Sequence, residues 1–121
     1  MNDSTGSSVL RRIEAAGRKV LPMHKLLAEA DPKTLEAFDG FLMNSIYREG
    51  GLQDGHKEML LACVCVVAGS SPPVIENHCR KALAAGLPRA DLIQALEISA
   101  AVLATRALAS GINAVIGAEA T

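Results

Sequence analysis

A chain of 121 residues, half of them hydrophobic, is long enough for one domain that buries about two-thirds of its unfolded surface. A formal charge of −1 gives no electrostatic case for nucleic acid, and with no Trp and one Tyr there are no aromatic platforms for stacking bases. Aromatics are only 2% of the chain, so Leu, Val, Ile, Ala and Met must fill the core, a composition that suits closely approaching helices.

Taken in chain order, MNDSTGSS is polar and has nothing to pack, so residues 1–8 are expected to form a disordered leader and 9–121 a single domain. The same segment lacks the charged-then-apolar order of a signal peptide. Val9, Ile13, Ala16 and Val20 recur on one face, which predicts a helix over 9–21 that Pro22 breaks. Arg11, Arg12, Arg18 and Lys19 fall on one side of it and read as a solvated basic face. A short segment over 23–30 follows. Asp31-Pro32 then opens a helix, because Asp accepts from free N–H groups and Pro has none to lose at the first position. Leu35, Phe38, Leu42 and Ile46 line that helix, which is expected to stop at Gly50-Gly51.

Gln53 or Asp54 begins a helix that is apolar all round from Met59. Such a helix is enclosed on every side, and in so short a chain part of that cover is expected from another copy. After a stop at residues 69–73, a helix over 74–85 ends at Gly86. Pro88 opens another, with Leu92, Ile93, Leu96 and Val102/Leu103 inward, continuing to Ala118 with a bend at Gly111. No strand alternation or internal repeat is visible. The fold class is therefore all-α, a bundle of five to six helices.

The longest unbroken apolar run, Met59 to Ala68, is shorter than a bilayer span. Three cysteines in a chain without a signal argue for a reducing compartment. The expectation is a cytoplasmic protein with neither membrane nor nucleic-acid partners. Three scattered histidines, with no His-x-x-x-His or Cys-x-x-Cys spacing, predict no metal site, and nothing in the sequence calls for a cofactor.

The stretch from 57 to 86, KEMLLACVCVVAGSSPPVIENHCRKALAAG, carries the strongest pattern. With the approach Lys57-Glu58-Met59-Leu60-Leu61-Ala62, the segment from His78 to Gly86 and the later helix from Asp91 to Ala101, it resembles the carboxymuconolactone decarboxylase and AhpD-like alkylhydroperoxidase superfamily. The thiol branch of that superfamily carries Cys-x-x-Cys-x-x-x-His at the start of the second helix, with a Glu on the helix before. Here Ser71 and Val74 hold the two cysteine positions, while Glu58 and His78 keep their places. The resemblance implies an AhpD-like helical bundle, assembly as a trimer or as a hexamer built from trimers, and a site at Glu58 and His78.

Ser71 before Pro72-Pro73 reads first as a helix cap, since its hydroxyl does not ionise near neutrality without a base in contact and His78 is about 10 Å further along the axis. Val74 lies one turn before His78 on the same face; Ser71 and Val74 are the candidate substrate-binding positions. A carboxylate bonded to an imidazole fixes its tautomer and makes a general base, so Glu58 and His78 are the candidate catalytic pair, against a purely structural hydrogen bond. His56 and Asn77 read as surface residues. Cys63 and Cys65 point about 200° apart on one helix. Cys79, the one candidate reactive thiol, lies past the turn where a helix N-terminus would activate it.

Three readings remain open. The first is a non-redox acid–base enzyme acting on a small carboxylated or lactone-like metabolite through Glu58 and His78. The second is a non-catalytic oligomeric binding or accessory protein, and the third a thiol-dependent peroxidase using Cys79.

Overall fold

The computed structural model describes residues 4–120 and is all-α, with six helices: α1 Thr5–Ala15, α2 Pro22–Ala30, α3 Pro32–Ser45, α4 Asp54–Ala68, α5 Pro72–Ala84 and α6 Arg89–Glu119. The chain forms two compact units, the first ending at Glu49 and the second beginning at Gly50.

In the first unit, α1 begins inside the expected leader. Ser4 caps it by accepting from the Ser7 N–H, and Gly6 is buried against α2, where a Cβ would overlap the carbonyl of Ala28. That backbone-to-backbone approach orders a segment whose composition alone reads as unstructured; residues 1–3 of the expected leader lie outside the described residues. Gly6→Ala gains about 1 kcal/mol of helix propensity, but the obstacle is backbone that cannot swing away. The expected net result is a loss of about 1–3 kcal/mol, read as a lower urea midpoint.

Helix α1 ends at Ala15, six residues before the expected stop at Leu21. Gly17 takes φ 73°, its N–H donates to the Glu14 carbonyl, and the Arg18 N–H donates to that of Ile13. This left-handed closure satisfies the last carbonyls and turns the chain out of the helix. It also dissolves the predicted basic face, because Arg18 leaves the helix and pairs with Asp39 of α3 at 2.7 Å. Val9 and Ile13 of α1 and Leu35 of α3 are fully buried, with Leu10, Val20, Leu27 and Ala28 packed around them.

The start of α2 is closed by a side chain from within. The Leu21 N–H donates to Nδ1 of His24 at 2.8 Å, and His24 is buried. Asp31 opens α3 as expected, accepting from both the N–H and the hydroxyl of Thr34, and these bonds hold its carboxyl below the ordinary carboxylate range. Helix α3 stops at Ser45 rather than at Gly50-Gly51; the Ser45 hydroxyl donates back to the Phe41 carbonyl at 2.7 Å.

In the second unit, α4 and α5 are joined by residues 69–71 and pack antiparallel. Gly55 at the start of α4 lies against Ala82 and Leu87 at the end of α5, where an added Cβ would come within 3.3 Å of the Leu87 Cβ. Ala62 and Ala82 are fully buried, so small residues line the contact and let the two axes close up. Gly86, at φ 94°, ends α5 and returns Leu87 into a cluster with Ala82 and Leu92, against which Met59, Cys79 and Leu96 pack.

Helix α6 runs as one helix through Gly111, and Leu92 is its one buried residue among those described. Ile93 and Val102, expected inward, are exposed, as are Leu108, Ile112, Val115 and Ile116. Nor is α4 enclosed within this chain: Leu60, Val64 and Val67 are each more than half exposed, because α5 and α6 cover only its other side.

Among the described residues, α6 is the one helix long and apolar enough to cross a membrane, judged by length and composition; its most apolar window has a mean hydropathy of 1.5 and is 6% buried. A search for unbroken apolar runs passes over it because Thr105 and Arg106 interrupt the run without lowering the average much.

Candidate functional site

The antiparallel α4–α5 pair brings together the two residues singled out as an acid–base pair. A three-residue connection sets His78 roughly level with Ala62, about one turn from Glu58, and the reach of the Glu side chain closes the difference. Nδ1 of His78 lies 2.8 Å from Oε2 of Glu58. This contact forms within one chain and needs no longer connection between the helices.

An ionised carboxylate only accepts, so opposite ionised Glu58 it is Nδ1–H that donates, which in a neutral ring leaves the lone pair on Nε2. The side chains are 19% and 21% exposed, enough for water or a small ligand to reach them. A carboxylate in this position orients the ring and steadies the imidazolium that forms when Nε2 takes a proton.

Ser71 is the N-cap of α5 by position but not by its hydroxyl, which makes no capping bond. A capping side chain accepts from the second or third helical N–H. Here the second position is Pro73, with no N–H, and the third, Val74, donates instead to the Ser71 carbonyl at 3.0 Å. The serine hydroxyl is therefore left for other partners. Ser71 and Val74 are both exposed at the start of α5.

Cys63, Cys65 and Cys79 are free thiols, each half-buried. Burial pushes the Cys79 thiol above its ordinary range, and the neighbouring Cys63 adds to the effect. Next to His78, Asn77 is half-buried, while Glu76 forms a solvated ion pair with Arg80 at 2.9 Å.

A cavity of about 510 Å³ opens where α4 begins and α5 ends, lined by residues 53–56 and 85–88. His56, read from sequence as a surface residue, is exposed there; Glu58 and His78 do not line this cavity. Among the described residues, no three His, Cys, Asp or Glu side chains converge so as to hold a metal ion.

The model of the carboxymuconolactone decarboxylase family matches residues 32–116, well over half of the chain. The matched segment contains Glu58, Ser71, Val74 and His78. No curated protein and no solved structure matches the chain.

Proposed function

The chain belongs to the carboxymuconolactone decarboxylase family, and from that premise we propose that Glu58 and His78 form the acid–base pair of a non-redox enzyme acting on a small carboxylated or lactone-like metabolite. The observation that carries this reading is the 2.8 Å bond from Nδ1 of His78 to Glu58, made by side chains that keep about a fifth of their surface open. Loss of carbon dioxide from such a substrate leaves an electron-rich carbon that must be protonated. The imidazolium Nε2–H supplies that proton, and Glu58 stabilises the cation before transfer. In the reverse sense, Nε2 removes a proton from carbon beside a carbonyl. Ser71, with its uncommitted hydroxyl, and Val74, one turn before His78, are the residues proposed to meet the substrate.

Thiol peroxidase chemistry is the weaker reading, because a peroxidatic thiol needs a lowered pKa and Cys79 is shifted the other way. The discriminating experiment is a screen of small carboxylic acids and lactones in deuterated water, followed by NMR. Deuterium entering carbon, or carbon dioxide released, is the expected result. Consumption of hydroperoxide with no carbon-bound exchange across the screen would overturn the acid–base reading.

We further propose that the exposed apolar stripes are covered by other copies of this chain, in a trimer or a hexamer built from trimers. On α6, Ile98, Ala101, Thr105, Leu108, Ile112 and Val115 follow an alternating three–four spacing, the pattern of a helix seam, and the large members of that set are half exposed or more. Leu60, Val64 and Val67 form a second such stripe on α4. Patches of this kind mark association surfaces. Leu108→Glu places a charge in the middle of the seam, and sedimentation at micromolar protein is expected to show a smaller species than wild type. A monomeric wild type, or one that floats with lipid vesicles, would refute self-association.

A further inference from the structure

A cavity formed wholly by the first unit has no part in the acid–base reading. Its volume is about 490 Å³, within the size range of small-molecule sites, and it opens between the end of α1 and the middle of α3. Ala15 and Ala16 of α1 and Gly40 and Met43 of α3 give it an apolar wall of mostly small residues. Arg12, which is exposed, and Asp39, which is buried, add opposite charges to the lining.

Two features of this lining are not explained by the packing of the unit. Gly40 lies inside α3 without a positive φ, and a Cβ added there would meet nothing within 4 Å. Neither the backbone nor a close approach calls for glycine, one of the poorest helix formers, so what its missing side chain preserves is open space. The second feature is the carboxylate of Asp39, which is 4% exposed. Arg18 donates to Oδ1 at 2.7 Å, and no described residue donates a hydrogen bond to Oδ2. Among the described residues, no fully enclosed side-chain oxygen lacks a partner, so Oδ2 reaches an opening, and Asp39 lines this one. An acceptor so nearly buried gains from any donor that enters. Charge narrows the choice of ligand. Arg18 already balances Asp39, and the Arg12 guanidinium has no ion pair or hydrogen bond with the described residues. A carboxylate on Arg12 and a neutral hydroxyl on Oδ2 leave no charge unbalanced, whereas an ammonium would add one.

We propose that this cavity is a second binding site, for a small aliphatic hydroxycarboxylic acid. The carboxylate pairs with Arg12, the hydroxyl donates to Oδ2 of Asp39, and the hydrocarbon chain lies against Ala15, Ala16 and Met43 in the space that Gly40 leaves.

The test is a titration of the full isotope-labelled chain with lactic, hydroxybutyric and leucic acids at constant pH, followed by amide NMR. Saturable shifts are expected at Ala16, Gly40 and their neighbours, with leucic acid binding tightest because its chain buries the most apolar surface. Isocaproic acid, which is leucic acid without the hydroxyl, and methyl leucate, whose carboxylate is masked, should each bind about tenfold more weakly. Gly40→Leu fills the space with a good helix former, so its thermal midpoint should hold or rise while binding is lost. Arg12→Gln changes an exposed side chain and should lose about tenfold in affinity with the fold intact. Shifts that do not saturate for any of the three acids, or that gather around His78 instead, would overturn the proposal. So would Gly40→Leu binding as tightly as wild type, or isocaproic acid binding as tightly as leucic acid. The probe comparison on the wild type and the Arg12→Gln variant decide the matter even if Gly40→Leu folds poorly.

Discussion

Replacing His78 with alanine is expected to lower turnover of the carbon-acid substrate by about 10²–10⁴-fold, the range a positioned general acid–base group supplies. The loss should fall on kcat and on kcat/KM together, because the proton is in flight only in the transition state. Glu58→Gln keeps an acceptor for Nδ1–H but removes the negative charge that steadies the imidazolium. A hydrogen bond to a charged group is worth about 1.5–3 kcal/mol, so that variant should lose roughly one to two orders of magnitude. Stability does not confuse the comparison. With about a fifth of each side chain exposed, the carboxylate left behind in His78→Ala can be hydrated, and the expected destabilisation is about 1 kcal/mol or less. Added imidazole should restore part of the alanine variant's activity while leaving the Glu58→Gln rate unchanged. Full turnover in His78→Ala would remove His78 from the mechanism.

The elements most legible in the sequence are those whose ends carry their own chemistry. Asp31-Pro32 and Pro72 open helices because each supplies an acceptor or forgoes an N–H where the helix leaves donors free, Asp54 puts an acidic side chain in the first turn of α4, and Gly86 closes a helix where the backbone needs positive φ. Gly17 has the same role but is masked: Val9, Ile13, Ala16 and Val20 keep helical spacing straight across it, so periodicity outweighed the stop. Glu58 and His78 are twenty residues apart, and spacing alone does not bring them together; the family frame points to both, and the reach of a Glu side chain makes the contact. Ser71 shows the limit of reading a cap from residue type, since the proline that helps open α5 also removes one of the N–H groups its hydroxyl would have met. For α4 the sequence pointed to cover shared with another copy, but which side chains stay bare there, and the whole stripe of α6, were not legible. Hydrophobicity reports that a side chain must be covered, not whether its own chain covers it.

Arg18→Met is expected to destabilise the first unit by about 3–5 kcal/mol, the cost of leaving one member of a buried ion pair without its partner. The guanidinium donates to Asp39 Oδ1 at 2.7 Å and to the Met43 sulfur at 3.5 Å, and its carbon sits 4.9 Å from the centre of the Tyr47 ring. With 5% of its side chain exposed, Asp39 has almost no access to water once the arginine is gone, so its desolvation is uncompensated. Arg18→Lys keeps the charge as a compact ammonium but loses the planar face that Tyr47 receives, and a smaller loss of about 1 kcal/mol is expected. The decisive comparison is the double variant Arg18→Met/Asp39→Leu, in which no charge remains to be desolvated. Urea unfolding should show it recovering most of what the single variant loses. Such recovery would mean that the ion pair costs about as much to bury as it returns, and that its role is to fix how the segment after Gly17 docks on α3. A double variant no more stable than Arg18→Met would mean instead that the arginine acts mainly through packing, its stem and planar head filling the space against Met43 and Tyr47.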